Sequence, residues 1–202
     1  PGTSQVHLGM AQNEFEAFQV LIDTPGDRPL DDITVQMAPL SKEGNQTVLW
    51  PVDGISLWRV EQIEAHNLWG SHESFGWFPD PLIPLTDSFS IPAGQRRGVW
   101  VCLYAARDVV SGEYRSKVTV LSEGNPIGEV AFDVTVYDFV LPPEQHFTLA
   151  IPIWGGQLEK MYPGKQTPES RRAYLDMLYD YRVAPFPLEE GEIEHAMQRG
   201  VR

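Results

Sequence analysis

Paired carboxylates are the residues to look for first. One protonated carboxyl can act as an acid while a second, ionised one acts as a base or holds developing positive charge. Adjacent acidic pairs occur at Asp31-Asp32, where an alternating run starts, and at Glu189-Glu190, in a polar C-terminal stretch. His66 and His72 flank a loop with Glu64 and Glu73 nearby. Such residues can ligate zinc, but this spacing matches no compact site, so packed or solvated histidines are the reading. Cys102 lies inside the apolar run VWVCLYAA. That is the setting of a buried small hydrophobe rather than a reactive thiolate. Arg96-Arg97 at a strand start and Arg171-Arg172 on a helical pattern read as solvated pairs. No Gly-rich phosphate loop, nucleophile elbow or metal motif is present, and no cofactor is implied.

Stacking is the other chemistry within reach. Trp69, Phe75 and Trp77 lie in HNLWGSHESFGWFPD (66–80), a long loop with glycines at 70 and 76. Exposed rings can stack on sugar faces. The competing reading, that they staple the loop to a core, is favoured because large apolar side chains bury. The next stretch, WFPDPLIPLTDSF (77–89), combines Pro79, Pro81 and Pro84 with Phe78, Leu82, Ile83, Leu85 and Phe89. Its prolines keep it extended and out of a sheet interior. Its apolar side chains still need cover. They can cap one end of a core, or dock a further domain, with Phe78, Asp80, Leu82 and Ile83 as the docking candidates. Asp80, between two prolines, can also cap a turn. A docking segment left uncovered would form an apolar patch and promote association.

The elements that must position these residues are mostly strands. EFEAFQVLID (14–23) places Phe18, Val20 and Ile22 on one side, while Phe15, Ala17 and Leu21 make the other side partly apolar. That second face therefore calls for cover of its own. DITVQMAPL (32–40), ISLWRVEQIEA (55–65), RGVWVCLYAA (97–106), EYRSKVTVLSE (113–123) and EVAFDVTVYDFVL (129–141) continue the series. RGVWVCLYAA is nearly all apolar, as a central strand is. Gly- and Pro-rich turns at 24–29, 42–45, 91–94, 110–113 and 123–128 separate the runs. Short strands at this spacing predict a mainly β fold, an antiparallel β-sandwich over residues 1–141. At LPPEQ two prolines end the last strand, giving a linker at 142–146. FTLAIPIW (147–154) is a new strand, TPESRRAYLDMLYDYRV (167–183) reads as a helix with Thr167 as N-cap and Pro168 in its first turn, and APFPL (184–188) is a further strand. Strand, helix and strand open an α/β unit, so 147–202 reads as the truncated start of a (β/α)8-barrel-like domain.

The bulk numbers bound the class. The chain has 202 residues, 42% of them hydrophobic, a formal net charge of -13 and a pI near 4.7. Phosphate backbones would repel such a chain, so nucleic acid is not an expected partner. No apolar run approaches the ~20 residues of a membrane span. One cysteine allows no disulfide within the chain. No signal peptide is visible, although a chain that starts at Pro1 leaves room for a missing leader. Asn45-Gln46-Thr47 matches a glycosylation sequon, a tripeptide common by chance.

Taken in order, NEFEAFQVLI, WFPDPLIPL, GVWVCLY, SGEYRSKVTV and VTVYDFVLP resemble the N-terminal region of glycoside hydrolase family 123 and related bacterial proteins. The resemblance covers most of residues 10–190 and implies a β-sandwich followed by a (β/α)8 barrel that carries the active site. It implies hydrolysis of N-acetyl-β-galactosaminides, with the substrate's acetamido group as nucleophile and an adjacent Asp-Glu pair on a barrel strand. It also implies a periplasmic or extracellular setting. This chain has no Asp-Glu dipeptide, and neither of its acidic pairs lies at the matching point. A barrel needs roughly 250 residues, far more than follow the sandwich. No catalytic residue can therefore be carried over. In barrels the C-terminal ends of the strands face the active site, which makes Trp154, at the end of the 147–154 strand, a candidate to line the cleft or to fill the domain junction.

The expectation is a non-catalytic sandwich that supports a catalytic barrel, its partner, with Trp154, Trp77 and Trp69 as substrate-contact candidates. Two alternatives stay open. One is an independent carbohydrate-binding module, which should end near Leu141. The other is a structural sandwich without ligand.

Overall fold

The computed structural model describes residues 5–66, 75–142, 150–153, 156, 159–160 and 162–201. The chain divides into two compact units, Pro1–Leu141 and Pro142–Arg202.

The first unit is built of strands β1 (Gln5–Gln12), β2 (Glu14–Asp23), β3 (Leu30–Met37), β4 (Ser41–Lys42), β5 (Asn45–Leu49), β6 (Ile55–His66), β7 (Phe75–Pro84), β8 (Phe89–Ile91), β9 (Arg96–Ala105), β10 (Gly112–Ser122) and β11 (Asn125–Val140). They form two sheets. The larger runs β1-β11-β10-β3-β8, with β4 beside β10 and β5 beside β4; the smaller runs β2-β9-β6-β7. Every pair is antiparallel except β1 with β11, which run parallel. The mainly β, largely antiparallel fold read from the sequence is the fold observed.

Period-two alternation creates the core. On β2 the side chains of Phe18, Val20 and Ile22 point inward and are buried, while Leu21 between them is 53% exposed. On β9, Val99, Val101 and Leu103 are fully buried. Facing them from the larger sheet are Val118 on β10 and Phe132 and Val134 on β11. Phe18 and Phe132 meet across the interior with ring centroids 5.0 Å apart. Trp50, after β5, sets its ring edge-on against Tyr114 at 5.2 Å. Each such side chain, fully buried, contributes about 1.5–3 kcal/mol of hydrophobic free energy.

The two sheets differ on their outer faces. The larger sheet presents hydrogen-bonded polar pairs to solvent: His7 with Asp133 at 2.8 Å, Thr135 with Glu113 at 2.9 Å, and Lys117 with Glu129 at 2.7 Å. The smaller sheet carries Phe15, Leu21, Trp100, Trp58 and Leu82 on the corresponding side. The partly apolar second face of β2 is thus one edge of a sheet face that is partly apolar throughout, with Gln19, Ser56 and the Asp23–Arg96 pair among its apolar residues.

The second unit pairs β12 (Ala150–Pro152) in parallel with β13 (Ala184–Phe186), and between them lies helix α1 (Pro168–Asp180). Thr167 caps α1: its hydroxyl accepts from the Ser170 N–H while the Ser170 hydroxyl accepts from the Thr167 N–H. The stretch after β13, which the sequence reads as a polar tail, is a helix, α2 (Glu190–Gln198). Its start is fixed by Glu192, whose carboxylate accepts from the Glu189 backbone N–H at 2.8 Å. Leu175, Tyr179 and Ala196 bury between the two helices.

Candidate functional site

The proline-rich stretch is an edge strand. β7 pairs with β6 on one side only, and its register slips between Val60 opposite Leu82 and Gln62 opposite Pro79. One residue of β6 there, Glu61, faces two of β7, which makes a β-bulge at Asp80 and Pro81. Proline cannot donate to a ladder, so an edge strand with a bulge is the sheet position it tolerates. The prolines thus place the segment as expected, outside the sheet interior.

The named residues of this strand emerge on both sides of the hairpin. Trp77 lies opposite Glu64 and is 63% exposed; Phe78 lies opposite Ile63 and is 42% exposed. Leu82, opposite Val60, and Ile83, opposite Arg59, are each 41% exposed. Asp80 is exposed at the bulge. Leu85, just beyond the strand, packs on the core. Capping of the core accordingly falls to Leu85 and Phe89, while Trp77 is mostly exposed and Phe78, Leu82 and Ile83 partly so. Below the strand, the Arg59 guanidinium sits 5.7 Å over the Phe89 ring and pairs with Glu61 at 2.9 Å. Trp69, His72, Glu73 and Trp154 lie outside the described residues.

The carboxylate pairs take structural positions. Asp31-Asp32 opens β3, and Asp32 adopts a left-handed backbone, φ 45°. Glu189 precedes α2. Beside the second of these pairs, Glu192 is engaged by an arginine. Arg171 donates to it twice, Nε to Oε1 at 2.5 Å and Nη2 to Oε2 at 2.8 Å. That guanidinium holds the Glu192 carboxyl below its usual range, against the opposing effect of burial. A neighbouring network ties His195 to both helices: its Nε2 lies 2.6 Å from Asp176 Oδ1 and its Nδ1 2.7 Å from Arg172 Nη2. A guanidinium can only donate, so Nδ1 is the acceptor and Nε2 carries the proton toward Asp176. Arg171, mostly buried, therefore binds α1 to α2 rather than forming a solvated face, while Arg172 reaches His195 and still stays exposed as expected.

Arg97 corrects another expectation. Its side chain is only 17% exposed and its Nη1 donates to Gln62 at 3.3 Å, whereas Arg96 is open to solvent and paired with Asp23. Burial pushes the Cys102 thiol upward, the direction of an inert thiol. Among the described residues no group of three His, Cys, Asp or Glu side chains could hold a metal ion, and no helix is long and apolar enough to cross a membrane. A recess of about 400 Å³ in the sandwich is lined by apolar side chains that include Leu40, Trp50 and Leu57.

The sequence matches no protein-family model and no curated protein. Among solved structures, the chain is similar to a family 123 glycoside hydrolase from Clostridium perfringens, a structure described in connection with glycolipid glycan hydrolysis. The TM-score is 0.68 at 15% identity, over 88% of this chain and 32% of that one. This chain therefore has a fold like that of part of a family 123 enzyme and spans about a third of its length. A PapD-like domain of human CEP192 overlaps at a TM-score of 0.34 and 10% identity, over 70% of this chain and 84% of that domain. The CupB6 tip adhesin from Pseudomonas aeruginosa overlaps at 0.33 and 11%, over 66% of this chain and 41% of that one. Those two overlaps are too slight to inform function.

Proposed function

We propose that this chain is the non-catalytic β-sandwich module of a glycoside hydrolase resembling family 123. It supports and orients a barrel that acts on N-acetyl-β-galactosaminides or related glycans. In this reading 142–146 is a linker and 147–202 is the beginning of that barrel. The observation that carries the reading is the fold likeness, which extends over most of this chain yet only a third of a family 123 enzyme. The chemistry agrees with it. The two adjacent acidic pairs open a strand and a helix, and Glu192 is neutralised by Arg171. None of these is an acid beside an open cleft. Phe78, Asp80, Leu82 and Ile83 on β7 are the residues we assign to contact with a further domain of the intact protein, because edge apolar surface of this kind is costly to leave in water.

A carbohydrate-binding role is a second reading, favoured by the 63% exposure of Trp77. The decisive assay is hydrolysis of an aryl N-acetyl-β-galactosaminide. The expected result is no turnover by the 202-residue chain and turnover by a longer polypeptide that completes the barrel. Turnover by the 202-residue chain itself would sink the non-catalytic assignment.

A further inference from the structure

We propose that Asn45 is a glycan-acceptor site, whose side-chain nitrogen takes one oligosaccharide from a polyprenyl diphosphate donor while the sandwich is folded. The proposal stands apart from the role assigned to the chain as a glycosidase-related module.

Asn45-Gln46-Thr47 is the one Asn-X-Ser/Thr tripeptide in the sequence. A tripeptide alone marks nothing, because the pattern recurs by chance. What matters is how the fold presents it. β5 is an outermost strand, paired with β4 on one side only. Asn45 lies opposite Lys42, and Leu49 lies opposite Ser41. Ser41 and Lys42 are adjacent, so residues 46–48 face no residue of β4. They form a short span that is anchored at both ends. At one end the Glu43 N–H donates to the Glu113 carbonyl at 2.7 Å, and the Glu43 carboxylate pairs with Arg115 at 3.0 Å. At the other end the Trp50 N–H donates to the Leu40 carbonyl at 2.8 Å, and the Trp50 side chain is buried. A transferase grips its acceptor partly through backbone groups. A span outside the ladder offers those groups without unpairing a strand.

The side chains are set for the reaction. Thr47 donates twice to Asn45 Oδ1, from its hydroxyl at 2.6 Å and from its backbone N–H at 3.3 Å. A backbone N–H can only donate, so the atom it meets is the carboxamide oxygen and the nitrogen points the other way. Among the described residues no hydrogen bond engages Asn45 Nδ2. Asn45 and Thr47 are exposed, and at the neighbouring Gly44 a β-carbon would meet open space.

The step is a substitution at the anomeric carbon of the donor sugar. A bond forms from Asn45 Nδ2 to that carbon, and the bond from the carbon to the diphosphate oxygen breaks. The polyprenyl diphosphate leaves with the electron pair, and the nitrogen gives one proton to a base of the transferase. A carboxamide nitrogen is a poor nucleophile until that proton is lost. Two donors on Oδ1 favour the loss, because they stabilise negative charge on the oxygen. A glycan at this position would shield the open edge of β5 and the exposed Leu49.

The test is incubation of the folded 202-residue chain with a purified oligosaccharyltransferase and a polyprenyl diphosphate oligosaccharide. The enzyme and donor are chosen as a pair that modifies a free peptide of residues 41–50. Intact mass and peptide mapping read the product. The expected result is a gain of one glycan, on Asn45. Thr47→Ala should abolish the gain, and Thr47→Ser, which keeps the hydroxyl, should retain it in part. Both positions are exposed, so the variants should fold, and melting curves check this. No gain on the folded chain, under conditions that modify the peptide, would overturn the proposal. So would a glycan on another asparagine, or a gain that survives Thr47→Ala.

Discussion

If β7 is an edge made to be covered, the isolated chain should associate weakly through it, and the strength can be worked out. Trp77 is 63% exposed, Phe78 42%, and Leu82 and Ile83 41% each. Those fractions amount to roughly two whole apolar side chains. At about 1.5–3 kcal/mol for each full burial, covering the edge is worth ~3–6 kcal/mol per copy. Two copies meeting edge to edge bring twice that, against an association cost of ~4–15 kcal/mol. The balance corresponds to dissociation constants of about micromolar at best and millimolar or weaker otherwise. Replacing Trp77 and Leu82 with lysine removes about half of the apolar contribution and adds like charge across the edge, as natural edge strands do. The expected loss of affinity is on the order of 100-fold or more. Trp77 is 63% exposed but Leu82 only 41%, so the melting temperature should fall by about 2–4 °C, far less than loss of the fold. Sedimentation velocity across a concentration series measures the association. A double variant that associates as strongly as the parent would refute the reasoning, as would a parent dimer far tighter than micromolar.

Other outcomes follow from single sites. Gly54→Ala should cost about 1–3 kcal/mol in chemical unfolding, because the added carbon would sit 2.7 Å from the Tyr104 backbone oxygen and 2.8 Å from Trp50 Nε1. Gly98→Ala should cost less, since the nearest atom is the free end of Gln19, and an equal or larger loss would mean the Gln19 amide is fixed. Phe132→Ala, at 2% exposure in the middle of the core, should cost ~3–5 kcal/mol, enough to remove much of a typical domain's stability. The Glu192 carboxyl is held below its unfolded value of about 4.3. Its pairing with Arg171 therefore stabilises α1 against α2 above about pH 4.3 and is lost as pH falls through the folded value. Glu192→Gln should lower stability by ~1–2 kcal/mol near neutrality, discounted because both side chains keep some solvent, and should flatten the acid limb of the helix signal. An unchanged acid limb would contradict that assignment.

What the sequence reveals of this fold depends on what each strand touches. β2, β9 and β11 are legible because one face of each lies against the core, and Val99, Val101 and Leu103 leave an unbroken apolar signal. β1 is obscured for the opposite reason. Val6, Leu8 and Met10 do alternate, but Gly9 interrupts them and the partner is β11, more than a hundred residues away and parallel. β7 carries three prolines, which suppress any strand reading while being compatible with an edge. α2 buries only Ala196, so it shows no apolar period, and its start is marked only by the Glu189–Glu192 capping box. The docking candidates on β7 could be picked out because prolines and large apolar residues are seldom combined. Trp58 and Trp100 could not be brought together from sequence, since only the pairing of β6 with β9 sets them side by side.

The unlike outer faces complete the argument. A free-standing sandwich has water on both outer faces, and antiparallel strands then alternate apolar inward and polar outward. The larger sheet follows that rule at Asp133, Thr135 and Lys117, outward and hydrogen-bonded, but the same face of β11 ends in the exposed, stacked rings of Tyr137 and Phe139. The smaller sheet breaks it on every strand, from Leu21 on β2 through Trp100 and Trp58 to Leu82 on β7. Strand propensity alone does not require this, because threonine or tyrosine would serve an exposed face as well. A surface so consistently apolar, yet interrupted by Gln19 and Ser56, is shaped for something other than water.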